Sequence, residues 1–390
     1  MKQLLKEIAI IGAGQGAPQG NHNYCDDGIP FVKAGNLQEL LDGKDLNGIQ
    51  KVSEEAAKKY KLKLYPKGTI LFAKSGMSCL KGYVYVLPRE AHVVSHLACI
   101  TPTEEISDFL KYYFIYHKPN QLIKDAAYPS ISLSDIGELE IDVKDNVERE
   151  SIVKQLKSLE KIIMLRQKEL KSLDDIIKAR FVEMFGEPRN SESYRYVPFE
   201  EIVDYMGDIG SNGANKVVVE HLDMKDEEDY ALMVRFLNFT KNDFSEDVKY
   251  ISKESYDFFK KSQLHGGELI ICKIGSAGLN YVMPYLNRPV SLGLNQIMVR
   301  INEKALMPYL YQYLHTDYGE YLISGCINGA VTKSITKTEL KKIPVMLPPI
   351  DEQKAFAEFV KQIDKSKVVV KRALEETQLL FNSLMQEYFG

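Results

Sequence analysis

Two sets of polar side chains in this chain have types suited to anions and nucleobase edges, and the two sets correspond. Lys33 with Asn36, and Arg235 with Asn238, each place a cation three residues before an asparagine. Arginine or lysine suits the paired acceptors of guanine, and asparagine suits adenine through one donor and one acceptor. The competing role for each asparagine is a strand-end turn. Lys74-Ser75-Gly76 and Lys273-Ile274-Gly275 set a lysine at the end of an apolar run beside a glycine. Such a lysine is either simply solvated or reaches a phosphate or a guanine edge. Ser130 and Ser132 flank Ile131, as Ser334 and Thr336 flank Ile335 after Lys333. Hydroxyls and backbone N–H groups before a helical turn either clamp phosphate or cap the helix, and Lys333 is the sharper candidate. Ser95-His96 and Asn295-Gln296 are polar pairs in runs that otherwise read as apolar strands. They need a partner, either a base edge or a buried hydrogen bond.

Other chemistries find little support. His92 and His96 share a strand face, but a metal site needs further ligands and the matching stretch offers Leu292 and Gln296. Gly12-Ala-Gly14-Gln-Gly16-Ala17 after Ile8-Ala-Ile-Ile imitates a dinucleotide fingerprint. Pro18 and the polar run that follows cannot form the helix that would hold a pyrophosphate. The corresponding Met206-Gly-Asp-Ile-Gly-Ser-Asn-Gly213 is only a glycine-rich loop. No phosphate-binding G-x-x-x-x-G-K-[ST], no H-E-x-x-H, no adenine-methyltransferase Asn/Asp-Pro-Pro-aromatic run and no nucleophile elbow is present. Catalysis by this chain alone is unsupported, and no cofactor of its own is expected.

The elements that must position these residues also come twice. Lys33 and Arg235, Lys74 and Lys273, and Ile131 and Ile335 lie 202, 199 and 204 residues apart. Within each copy, β-branched and aromatic runs (Ile70-Leu-Phe-Ala, Gly82 to Leu87, Ala91 to Ile100) read as strands. Ser53 with Glu54 and Glu55 starts a short helix, and Ile106 to His117 reads as another. From Asn146 the period changes to a heptad. Ile152, Leu156, Leu159, Ile163, Leu170, Leu173, Ile177 and Met184 form an apolar seam, with Arg166 and Arg180 at its two gaps. Phe356, Val360, Ile363, Val370, Leu374, Thr377, Phe381 and Leu384 repeat the frame, broken by Lys367. Gly186 with Pro188 ends the first helix; Pro348-Pro349 precedes the second, where Asp351 is placed to cap. The expected fold is α+β: two similar domains, 1–145 and 188–349, each followed by a long helix, 146–187 and 350–390. The helices are expected to pair seam to seam as an antiparallel coiled coil with the domains at opposite ends. About 40 residues of helix span about 60 Å, more than one turn of B-DNA.

Composition sets the bounds. With 390 residues, 45% hydrophobic and 27% charged, the chain reads as an ordinary soluble protein of two or three domains. The net charge of -4 neither announces nor excludes a nucleic-acid partner, since a local basic face decides. Five scattered cysteines without C-x-x-C spacing argue for a reducing compartment. The four-residue apolar run after Glu7 is too short for a signal peptide, and no later run approaches a membrane span. A cytoplasmic protein without membrane contact is expected.

This layout resembles the specificity subunit of type I restriction–modification enzymes. Leu347-Pro348-Pro349-Ile350-Asp351-Glu352-Gln353-Lys354 is similar to the family's start of the second spacer helix, and Leu384-Met-Gln-Glu-Tyr-Phe-Gly390 to its end. The first copy departs, since Ile141 to Glu148 lacks both prolines and the glutamine. The resemblance implies a non-catalytic, DNA-binding subunit whose two target-recognition domains read the halves of a split, asymmetric site on double-stranded DNA. It implies two modification (methyltransferase) subunits and restriction/translocase subunits as partners, with S-adenosylmethionine, ATP and magnesium on those partners. The alternative is a protein-interaction scaffold with two binding domains on a coiled-coil strut.

Overall fold

Ile70–Ala73 and Leu269–Cys272 are short, wholly apolar runs, and each becomes a fully buried strand inside a sheet. The computed structural model that shows this describes residues 2–330 and 332–390. In the first copy Ile70–Ala73 lies between Leu97–Pro102 and Tyr85–Val86, with Ala9–Ala13 completing four antiparallel strands. In the second, Leu269–Cys272 lies between Gln296–Ile301 and Asn280–Val282, with Val203–Gly207 at the edge. A second four-stranded sheet follows in each copy. Its strands Ile29–Val32 and His92–Val93 run parallel, as do Ala231–Val234 and Val290–Leu292. The duplication therefore extends to the order and direction of the first sheet and of three strands of the second, whose fourth strands, Tyr24–Cys25 and Gln263–Leu264, lie at opposite edges.

The stretch Ala91–Ile100, expected as one strand, is two. His92–Val93 pairs with Phe31–Val32 in one sheet, and Leu97–Pro102 pairs with Ile70–Ala73 in the other. Ser95 and His96 form the turn where the chain changes sheets, so they are not polar intrusions in a strand. The second copy turns at Leu294 and Asn295, where Asn295 adopts φ 59°. The ladders also move the expected correspondence by one residue. His96 matches Asn295, because both carbonyls accept from the amide of the neighbouring lysine, at 2.9 and 2.7 Å. Gln296 matches Leu97, since they pair with Cys272 and Ala73. The glycine run at residues 12–16 also has a packing explanation. A Cβ on Gly14 would sit 2.1 Å from the Val93 carbonyl oxygen, so only glycine lets Gln15 bridge to Val94. No helix follows, only the 3-10 turn Asn21–Asn23.

The two long helices run over Asn146–Phe185 and Ile350–Phe389, 40 residues each. The chain divides into two compact units, Met1–Gln167 with Arg372–Gly390, and Lys168–Lys371. Each unit thus holds one domain, half of its own helix and half of the other. In the first unit Phe381, Met385 and Phe389 join the core containing Ile152, Leu156, Phe109 and Tyr112. The Tyr388 hydroxyl meets Gln155 at 3.1 Å, so the end of one helix lies beside the start of the other. In the second unit Ile177, Phe181 and Phe185 join Phe356, Tyr309 and Tyr313. Phe181 and Phe185 each pack against Phe356 with ring centroids 5.6 Å apart. Both pairings are antiparallel. The seam breaks carry partners: Lys367 pairs with Asp174 at 2.6 Å, and Arg180 lies over the Phe359 ring.

The helix starts differ in a way the sequence shows. Gln353 is fully buried; its Oε1 accepts from the Leu306 amide, and its Nε2 donates to the carbonyls of Lys304 and Pro348. Arg149 occupies the same place in the first copy and donates to the Lys144 carbonyl at 3.5 Å. Asp145 caps that helix, accepting from the Glu148 amide at 2.9 Å. Asp351, expected to cap the second, lies inside its first turn and pairs with Lys354, because the helix already begins at Ile350. Gln353→Leu would strand three backbone groups, each worth about 1–3 kcal/mol when buried unpaired. It should lower the denaturation midpoint of the full chain more than Arg149→Leu does. An equal or smaller loss would contradict this assignment.

Candidate nucleic-acid interface

The lysine–glycine motifs, the turns between sheets and the loops before the short helices meet at one place in each unit. In the first, the Lys74 amide donates to the His96 carbonyl at 2.9 Å and the Ile131 amide to the Lys74 carbonyl at 2.8 Å. The Gly76 amide donates to Pro129 at 3.1 Å, and Ser75 bridges Ser130. In the second, Lys273 donates to Asn295, Ile335 to Lys273 and Gly275 to Lys333, at 2.7, 3.0 and 3.4 Å. Ile274 bridges Ser334. Gly76 and Gly275 take φ 77° and 88°, the left-handed turn that glycine allows. One backbone framework therefore presents different side chains twice. Ser75 and His96 face each other at 2.8 Å in the first unit, where the second has Ile274 and Asn295.

The predicted residues divide into those at this loop cluster with exposed groups and those engaged elsewhere. Ser130, His96, Gly76, Gly275, Asn295 and Lys333 are exposed; Lys74, Ser75, Ser95, Lys273 and Ser334 are half-buried. Ser132 is exposed but caps Leu133–Gly137 by accepting from the Asp135 amide at 3.0 Å, as Thr336 does for Lys337–Lys341. Asn36 and Asn238 accept from the amides of Lys33 and Arg235 at 3.0 and 2.9 Å. Asn238 is 1% exposed, so its carbonyl group serves the turn. Lys33 bonds Gln50 at 2.6 Å, and Arg235 donates to the Asp247 carbonyl. Gln296 is also 1% exposed; its amide, oriented to satisfy both neighbours, donates to Val234 and accepts from Phe236. His92 is buried, with Nδ1 on the Lys63 carbonyl, and no cluster of three metal-binding side chains occurs among the described residues.

The second cluster contains an acid the glycine-rich reading of its loop passed over. Asp208 accepts from Lys273 at 2.7 Å and from Lys337 at 3.0 Å, and Lys337 also donates to Ser211. The available signal was the Asp208-x-x-Ser211 spacing, a reciprocal capping pattern in the folded loop. Lys74 makes no ion pair among the described residues, since Ala13 stands where the second copy has Asp208. Burial pushes the Asp208 carboxyl upward, but the hydrogen bonds from Lys273, Lys337 and Ser211 outweigh it and hold the group down at about 2.

A family model for the type I restriction–modification DNA specificity domain matches residues 2–174 and again 206–377, one match per copy. The chain belongs to this family. Among relatives of this specificity-domain family, the type I restriction enzyme MjaIX specificity subunit of Methanocaldococcus jannaschii is 30% identical over 198 residues. That is 48% of this chain and 44% of the relative. The putative MjaX specificity subunit of the same organism is 25% identical over 161 residues, 39% of this chain and 36% of the relative. The matched stretches span less than half the length of these curated relatives. The specificity-subunit fold extends further. The S subunit of a type I restriction–modification system from M. genitalium aligns over 100% of this chain and 96% of its own, with TM-score 0.56 and 13% identity. A chain from a study of type I system assembly and conformational transition aligns over 100% and 97%, with TM-score 0.53 and 16% identity. No helix among the described residues is long and apolar enough to cross a membrane.

A carboxyl held at about 2 when folded, against about 3.9 when unfolded, contributes stability above the unfolded value and loses it as pH falls toward the folded one. Asp208→Asn should therefore unfold at lower temperature than the parent by a gap that is constant from about pH 7 to 5. Thermal melts should show the gap narrowing by about pH 3; a gap that stays the same or widens there would contradict the ion-pair assignment.

Proposed function

We propose that this chain is the DNA sequence-specificity subunit of a type I restriction–modification system, with each loop cluster reading one half of a split, asymmetric site. The observation that carries the reading is the repeated backbone framework bearing unlike side chains, Ser75 and His96 against Ile274 and Asn295. An identical scaffold gives both units the same approach to a duplex, and the differing side chains give the halves different sequences. In this reading Lys74, Ser75, Gly76, Ser95, His96 and Ser130 face DNA from the first unit, with Lys273, Gly275, Asn295, Lys333 and Ser334 from the second. Lys33 and Arg235 flank the clusters, while Asn36, Ser132, Asn238 and Gln296 act by shaping them.

The subunit is non-catalytic and acts in the cytoplasm. Two modification subunits bring S-adenosylmethionine, and restriction/translocase subunits bring ATP and magnesium. The paired helices set the length of unread DNA between the halves. Their outward faces support partner docking, for they leave large apolar side chains in solvent. Val368 and Val369 are 66% and 69% exposed, and Met164, Leu165, Leu379 and Leu380 are exposed in the first unit. Exposed apolar groups at this density mark interaction surfaces. A second reading, a protein scaffold without DNA, draws on the net charge of -4 and on Lys273 being committed to Asp208.

The test is the salt dependence of DNA binding by the assembled complex. Lys74→Ala should lower the slope of log affinity against log salt by about 0.9 if the amine meets a phosphate. If it meets a base edge, discrimination at one position should fall by about 1–3 kcal/mol. A flat salt dependence for the parent complex would favour the scaffold instead.

A further inference from the structure

The second loop cluster holds two large aliphatic side chains in water on a backbone that cannot fold them away. Ile274 is 37% exposed and Leu294 43% exposed. Each adjoins one partner of the hydrogen bond that fixes the cluster, from the Lys273 amide to the Asn295 carbonyl at 2.7 Å. Ile274 is pinned further by its bridge to Ser334 and by the left-handed turn at Gly275. Leu294 precedes Asn295, which is itself left-handed. In the first unit the same two positions are Ser75 and Ser95, both half-buried. Ser75 meets His96 there at 2.8 Å, a bond that isoleucine cannot make. Single exposed aliphatic side chains are ordinary on a protein surface, but these two share one rigid framework.

Their surroundings suit a groove of a polyanion. The exposed Lys333 follows the same framework, its carbonyl accepting from the Gly275 amide at 3.4 Å. Lys273 and Lys337 both donate to Asp208, at 2.7 and 3.0 Å, and that carboxylate is 6% exposed. A lysine whose charge is already met by a carboxylate gains less from a phosphate. It keeps N–H groups for the uncharged acceptors of base edges. The major groove offers one apolar group among its donors and acceptors, the C5 methyl of thymine. Aliphatic side chains held beside such lysines therefore have one apolar partner on a duplex.

We infer that Ile274 and Leu294 are specificity-determining residues that read a thymine in the second unit's half-site through its C5 methyl. The inference rests on the loop clusters reading DNA, as proposed above. The test uses the assembled complex and the split site that methylation mapping identifies. Each thymine of the two halves is replaced in turn by deoxyuridine, which removes the methyl and leaves every hydrogen-bonding group. At least one replacement, in one half, should lower affinity about fourfold, the worth of one buried methyl-sized group. Ile274→Ser with Leu294→Ser, which brings in the first unit's side chains, should erase that difference. It removes no charge, so the salt dependence should stay the same. Both positions are exposed, so the thermal midpoint should hold; should the double variant fail to fold, the two single variants carry the comparison. A parent complex that distinguishes its split site from other duplexes, yet is indifferent to every methyl, would overturn this inference alone. Failure to distinguish them would overturn the DNA-reading proposal with it. A methyl effect that persists in the folded variant would also contradict the assignment. So would a variant that no longer assembles, since the pair would then be a protein contact.

Discussion

Everything in this structure depends on the exchange of aromatic helix ends. The first long helix leaves its own domain and ends with Phe181 and Phe185 in the core of the second unit, beside Phe356 and Tyr309. The second ends with Phe381 and Phe389 in the core of the first, where Phe389 lies 5.2 Å from the Phe109 ring. Neither domain closes its core with residues of its own copy alone. Burying a phenylalanine is worth about 1.5–3 kcal/mol, so four of them far outweigh the modest cost of a cation in the seam. That cost is itself reduced, because Lys367 meets Asp174. Folding of each domain and antiparallel pairing of the helices are consequently one event.

A fixed framework of this kind leaves the loop clusters free to vary. The hydrogen bonds that pin the lysine, the glycine turn and the pre-helix loop run through backbone atoms, so they hold whatever side chains are present. The copies have used that freedom. Among the described residues Lys74 has no carboxylate partner, where Lys273 shares Asp208 with Lys337. Gln312 marks another divergence, at the position where the first copy ties Tyr112 to Glu160. Duplication supplied equivalent positions, and substitution has given them unequal chemistry.

Much of this was legible in the sequence because it is periodic. The heptad residues Ile152, Leu156, Ile177 and Phe356 are buried where the 4-3 spacing put them, and Arg180 and Lys367 sit at the breaks. The return of Lys74-Ser75-Gly76 as Lys273-Ile274-Gly275 located the loop clusters. What escaped was non-periodic. A change of sheet at Ser95 and His96 leaves no mark in an apolar run, so the two copies were aligned one residue out of register. Asn36 and Asn238 have the right type for adenine, yet local geometry commits them to turns, and residue type alone does not reveal that. Asp208 was hidden for the opposite reason, because its partners Lys273 and Lys337 lie 65 and 129 residues away.

The central claim is that the two loop clusters specify the two halves of one DNA site. Mapping adenine methylation across the genome of the source cell, with and without this gene, tests it most directly. The account predicts that deletion abolishes methylation at a single motif made of two short, different halves around a fixed gap. A genome methylated at such split motifs and unchanged by the deletion would contradict it.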